Sequence, residues 1–260
     1  MSIIKDKFKE LKNKGEMGLI AFMMSAIPNE DLCLDCIKAL EQGGCDLLEL
    51  GVPFTDPVAD GKVLERFHHQ GVNNGLDLDR CLDFIDKVKN STNIPIILFS
   101  YLNPIYKKGI DKCMSELKDI GINNVIVPDL PLDELSRLEG FGVEVIPMLA
   151  PSSRKDRMEL VGKRNADFIY CVSSRGTTGV KSLEEEEIKQ YLSNVNMYTD
   201  SPLALGFGIS QPKQAKQFKN LADAIVIGSH FANLIERNNK KNTLPAIIEN
   251  ETISFKQALI

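Results

Sequence analysis

Eight short apolar runs, each followed by room for a helix, constrain this chain more than any other feature. They are GLIAFMM at 18–24, CDLLEL at 45–50, IPIILFS at 94–100, NNVIVP at 123–128, VEVIPML at 143–149, ADFIYCV at 166–172, PLALGF at 202–207 and DAIVIG at 223–228. The runs are continuous rather than alternating, the pattern of parallel strands covered on both faces. Eight such units in 260 residues predict one α/β domain over residues 1–260, a closed (β/α)8 TIM barrel. An open doubly wound sheet usually carries fewer strands and often a glycine-rich turn after the first; the turn here, SAIPNED, lacks that pattern. An amphipathic helix opens the chain ahead of the first run. The segment after Asn238 reads as a turn and a closing helix on the outside of the barrel.

Composition narrows the class. A net charge of −5 argues against a surface built for nucleic acid or an anionic membrane. The N-terminus alternates charged and apolar residues instead of forming a secretory signal, and no apolar run approaches a membrane span, so a cytoplasmic protein is expected. Of the six cysteines, only Cys33 and Cys36 have suggestive spacing. With Leu32, Ile37 and Leu40 they form one apolar helical face, so core packing is the expected role. His68 and His69 are adjacent and point apart on any helix, which leaves no metal spacing, and no metal is predicted. Asn29 and Ser182 stand where helix N-caps are needed, and the glutamates at 184–187 read as the acidic start of a solvated helix.

In a barrel the site forms from the loops after the strands, so polar residues there need explaining. Glu49 lies within an apolar run next to the strand's end, where desolvation would raise its pKa and prepare it to carry a proton. The alternative is that it pairs with a lysine or arginine and holds the barrel mouth. The loop that follows, GVPFTDPVADG, offers two further carboxylates: Asp56 before Pro57 fits a turn cap, whereas Asp60 between Ala59 and Gly61 has freedom to face a ligand. Late in the chain, SSRGTTG at 173–179, GFGIS at 206–210 and IGSHF at 227–231 follow the sixth, seventh and eighth runs. A short helix starting at Gly228-Ser229 would aim free N–H groups at an anion, the phosphate site expected after the last strands of such a barrel. Together these features point to a phosphate monoester with its reacting carbon near Glu49.

The segment LELGVPFTDPVADG at 48–61 resembles the signature of the tryptophan synthase α chain family. The likeness continues in order through SYLNPIYKKG at 100–109, VIVPDLP at 125–131, IPMLAPSS at 146–153, FIYCVSSRGTTG at 168–179, GFGIS and ADAIVIGS at 222–229. It implies cofactor-free retro-aldol cleavage of indole-3-glycerol phosphate to indole and glyceraldehyde 3-phosphate. By the same resemblance Glu49 moves the protons and Asp60 hydrogen-bonds the indole N–H. Phe22, Phe99, Tyr101, Ile126, Leu149 and Tyr170 match the substrate pocket, while Gly179, Gly208, Gly228 and Ser229 match phosphate contacts and Thr178 a closing loop. The family implies a pyridoxal-phosphate-bearing β chain as partner in an α2β2 assembly.

The chain departs from the family pattern at Ala26-Ile27, where a glycine and an aspartate are usual, at Lys62–Glu65, at Thr177 and at His230. Two other readings differ in class. One is a regulatory subunit that binds substrate-like ligands and activates a β chain with little chemistry of its own. The other is a different phosphate-binding barrel enzyme, such as a sugar-phosphate isomerase or a stand-alone indole-releasing lyase.

Overall fold

The computed structural model describes residues 2–173, 185–206 and 208–260. Its strands are β1 (Gly18–Met24), β2 (Leu47–Gly51), β3 (Ile96–Phe99), β4 (Asn124–Ile126), β5 (Glu144–Val145), β6 (Met148–Leu149), β7 (Ile169–Val172), β8 (Leu203–Gly206) and β9 (Ala224–Ile227). All pair in parallel, in the order β5-β4-β3-β2-β1-β9-β8-β7-β6. The eight runs of the sequence thus become nine strands, because the fifth run divides at Ile146-Pro147. Proline has no N–H to give a ladder. The Ile146 N–H donates back to Val125 O of β4 (2.9 Å), and Pro147 O accepts the Tyr170 N–H of β7 (3.0 Å). The two ends of the sheet are therefore neighbours in the chain, and the barrel closes through this one interrupted segment.

Both faces of the sheet are covered. β1, β2, β3, β8 and β9 are buried at every residue. The opening helix, Ile3–Lys14, buries Ile4, Phe8 and Leu11. It lies at the N-terminal end of the barrel: Phe8 packs on Phe168 with ring centroids 5.5 Å apart, and Leu11 reaches Gly18 at the start of β1.

The helix Glu30–Gln42 starts at Asn29, whose side chain accepts the Leu32 N–H (3.0 Å). This helix buries Cys33 and Cys36, and burial pushes both thiols up to about 12, so they are inert packing groups. Ser182 lies outside the described residues, but the helix after it, Glu185–Asn196, does begin with acids. Helices Ser229–Asn238 and Leu244–Leu259 end the chain. No helix among the described residues is long and apolar enough to cross a membrane.

Candidate active site

Parallel pairing sets side chains of equal register on one face of a sheet. Phe22 of β1 pairs with Glu49 of β2, and Phe99 of β3 pairs with Gly51 of β2 and Ile126 of β4. All of these project into the barrel near its C-terminal mouth. Phe22 meets Phe99 edge to face, with centroids 5.2 Å apart. A Cβ on Gly51 would stand 2.6 Å from the Phe22 ring, so only glycine leaves space for that ring beside the carboxylate.

Glu49 is completely buried, and neither carboxylate oxygen has a hydrogen-bond partner among the described residues. Among the described residues no lysine or arginine pairs with it. Burial alone pushes its carboxyl up to about 8, so near neutral pH it keeps its proton. Tyr170 shares this neighbourhood: its phenol is raised by burial first and then by the charges of Glu49 and Asp60. A Cβ on Gly206 would lie 2.4 Å from the Tyr170 oxygen, a second close approach that requires glycine.

Asp60 ends the loop after β2 and is nearly buried. Its Oδ2 accepts the Tyr101 hydroxyl (2.7 Å) and lies 3.1 Å from His68 Nε2. The Tyr101 oxygen in turn accepts the Ala59 N–H (3.0 Å), and its ring stacks on Phe54 at 5.2 Å. With no surface exposed, Tyr101 stands behind Asp60 and buttresses it. Asp56 behaves differently: it accepts the neighbouring Thr55 hydroxyl (2.6 Å) on the exposed part of the loop.

The register does not bring Leu149 to this set. Leu149 pairs with Cys171, whose thiol faces Tyr191 of the surrounding helix layer, whereas Met148 pairs with Tyr170. Met148 therefore shares Tyr170's side of the sheet, a one-residue shift that follows from the break at Pro147. His68 is the other residue that sequence reasoning passed over. No local period signals it, because Asp60 lies in the loop ahead of the helix Lys62–Asn73 that carries His68.

Gly208 follows β8 in a left-handed turn (φ 83°). Gly228 and Ser229 follow β9 and open the helix Ser229–Asn238, which has no side-chain cap on its first N–H groups. These three positions stand at the mouth after adjacent strands, as an anion cradle would require. His230 turns away from them to Glu251 on the closing helix (2.9 Å). Thr177, Thr178 and Gly179 lie outside the described residues.

A closed parallel barrel with a desolvated acid and a second, firmly held carboxylate at its mouth has the form of a (β/α)8 enzyme. The family described as tryptophan synthase alpha chain matches residues 8–259. A tryptophan synthase alpha chain from Syntrophomonas wolfei subsp. wolfei is 56% identical over 254 residues, covering 97% of this chain and 98% of its own. Another, from Thermoanaerobacter sp. (strain X514), is 35% identical over the full length of both chains. The crystal structure of tryptophan synthase subunit alpha from Legionella pneumophila str. Paris superposes with a TM-score of 0.90 at 25% identity, covering 100% of this chain and 98% of that one. The chain belongs to the tryptophan synthase alpha chain family.

Proposed function

We propose that the chain is one barrel domain that cleaves indole-3-glycerol phosphate to indole and glyceraldehyde 3-phosphate, and that Glu49 and Asp60 carry the reaction. The observation that supports this most directly is Glu49: a wholly buried carboxyl with no partner among the described residues, protonated near neutral pH. Such a group has no value for stability and is suited to general acid–base work.

In this reading the Glu49 carboxyl gives its proton to the indole carbon that bears the side chain. The ring becomes cationic, and Asp60 accepts the ring N–H and stabilises the positive charge there. The Glu49 carboxylate then takes the proton from the adjacent glycerol hydroxyl. The bond between ring and side chain breaks as the aldehyde forms, its electrons restore the aromatic ring, and Glu49 ends as it began. Phe22, Phe99, Ile126 and Tyr170 would wall the indole, and Gly208, Gly228 and Ser229 would hold the phosphate without a cofactor. A β chain is the expected partner, in an α2β2 assembly, and the cytoplasm the expected compartment.

The test is indole or tryptophan formation from indole-3-glycerol phosphate, with and without a β chain, beside Glu49→Gln. Product from the wild type and at least about a thousandfold less from the variant supports the assignment. No product from the wild type, even with a β chain, overturns it and favours the regulatory-subunit reading.

A further inference from the structure

His68 sits on the inner face of the helix Lys62–Asn73 and has no exposed surface, whereas His69 beside it is exposed. The Phe54 N–H donates to its Nδ1 (3.0 Å), while its Nε2 faces Asp60 Oδ2 at 3.1 Å. An imidazole nitrogen that accepts an N–H carries no proton, so these partners assign the ring proton to Nε2, which donates it to Asp60. The other tautomer would set two N–H groups against each other at Phe54 and turn a lone pair toward a carboxylate oxygen.

One rigid ring thus fastens the Asp60 loop at two points, Phe54 near its start and Asp60 at its end. Tyr101 reinforces the arrangement from β3's side: it stacks on Phe54, accepts the Ala59 N–H, donates to Asp60 Oδ2 and meets the His68 ring edge to face at 5.9 Å. Both bonds to Asp60 end on Oδ2, and Oδ1 takes part in neither. Two donors on one oxygen fix the plane of the carboxylate and, with it, the direction of Oδ1.

We propose that His68 is a positioning residue for the cleavage reaction, orienting the Asp60 carboxylate through Nε2–H while the Phe54 N–H selects the tautomer. This rests on the reading of Asp60 as the group that meets the indole N–H. His68 touches no reacting atom and works through Asp60, so its loss shows in kcat more than in KM, because the charge Asp60 stabilises exists only in the transition state.

The experiment compares His68→Asn, which keeps an acceptor near Phe54 and removes the donor to Asp60, with His68→Gln, which keeps a donor near the position of Nε2. Indole release is measured for both beside wild type and Glu49→Gln. The expected result is a fall in kcat of about 10- to 100-fold for His68→Asn, with KM changed less than about threefold, and recovery of most of that loss in His68→Gln. An unchanged kcat in His68→Asn, or equal losses in both variants, overturns the proposal.

Imidazole ¹⁵N resonances of the intact wild-type chain, which has three histidines, supply a readout independent of turnover and of how the variants fold. They should show His68 as the Nε2–H tautomer and should move on Asp60→Asn. A proton on Nδ1, or no response to Asp60→Asn, overturns the proposal. If wild type releases no indole, the lyase reading fails by itself, and the resonances still decide whether His68 holds Asp60.

Discussion

The two ends of the barrel both bury carboxyl groups, and they surround them in opposite ways. At the N-terminal end, Asp46 Oδ2 accepts the Leu19 N–H (2.8 Å) and the Lys256 ammonium (2.9 Å), and Lys256 also meets Glu16 at 3.2 Å. Nearby strand starts also give their carboxyls donors: Glu144 accepts the Asp167 N–H (2.9 Å), and Asp167 accepts the Asn124 amide (2.9 Å), although burial and then the Asp167 charge push the Glu144 carboxyl up to about 7. At the mouth, Glu49 has neither a donor nor a cation among the described residues. Burying a polar group without a partner is unfavourable, and a few buried hydroxyls such as those of Ser2 and Ser201 also lack one, but a carboxyl is far more costly to leave so, which sets Glu49 apart. The mouth is thus the end where stability and function diverge.

The sharpest way to break this comparison is to remove Glu49's charge and measure stability. Burial pushes its carboxyl up to about 8 in the folded chain, above the ordinary 4.5. Between these values the folded chain binds the proton and the unfolded chain does not, so wild-type stability falls as pH rises through this window and levels off above pH 8. Glu49→Gln cannot ionise and lacks that slope. Denaturant unfolding at pH 5 and pH 9 should show the variant gaining on wild type by on the order of 3–4 kcal/mol between the two. An equal pH dependence in both proteins would mean that Glu49 is solvated after all.

At the other end the sign reverses. Asp46→Ala orphans the Leu19 N–H and strips Lys256 of one partner, and should lower stability by about 3 kcal/mol while leaving kcat of the folded protein unchanged. A loss of kcat at constant stability would erase the contrast between the two ends.

A smaller effect is expected in the pH profile of kcat/KM for indole release, which reads the free enzyme. In the proposed mechanism Glu49 acts first as an acid, so kcat/KM should decline above about pH 8, approaching tenfold per unit. A flat profile to pH 9.5 would remove Glu49 as the acid. The smallest effect concerns Ala26, which takes a left-handed conformation (φ 57°) after β1. Ala26→Gly relieves about 1 kcal/mol of backbone strain and returns part of it as unfolded-state entropy, for a net gain of about 0.5 kcal/mol in thermal unfolding.

Much of this was legible in the residues. Continuous apolar runs marked every strand, and Glu49 stood out because a carboxylate within CDLLEL has no packing purpose. Side-chain parity across the fifth run was not legible. A strand's period of two carries facing forward only while the strand is unbroken, and Pro147 interrupts it, so Met148 rather than Leu149 shares a face with Tyr170. His68 was read only for metal spacing, and its partnership with Asp60 depends on how the helix Lys62–Asn73 packs under the preceding loop.

The sequence by itself determined the barrel and the order of its units, and it singled out the polar residues at strand ends, because apolar periodicity and the placement of polar residues are local properties of the chain. Only the tertiary structure decided which polar atoms are satisfied. Tyr101 and His68 lie 41 and 8 residues from Asp60 and meet on one of its oxygens, while Glu49 meets none among the described residues. Burial and partnership are properties of the space around a group, and that space is assembled from segments distant in the chain.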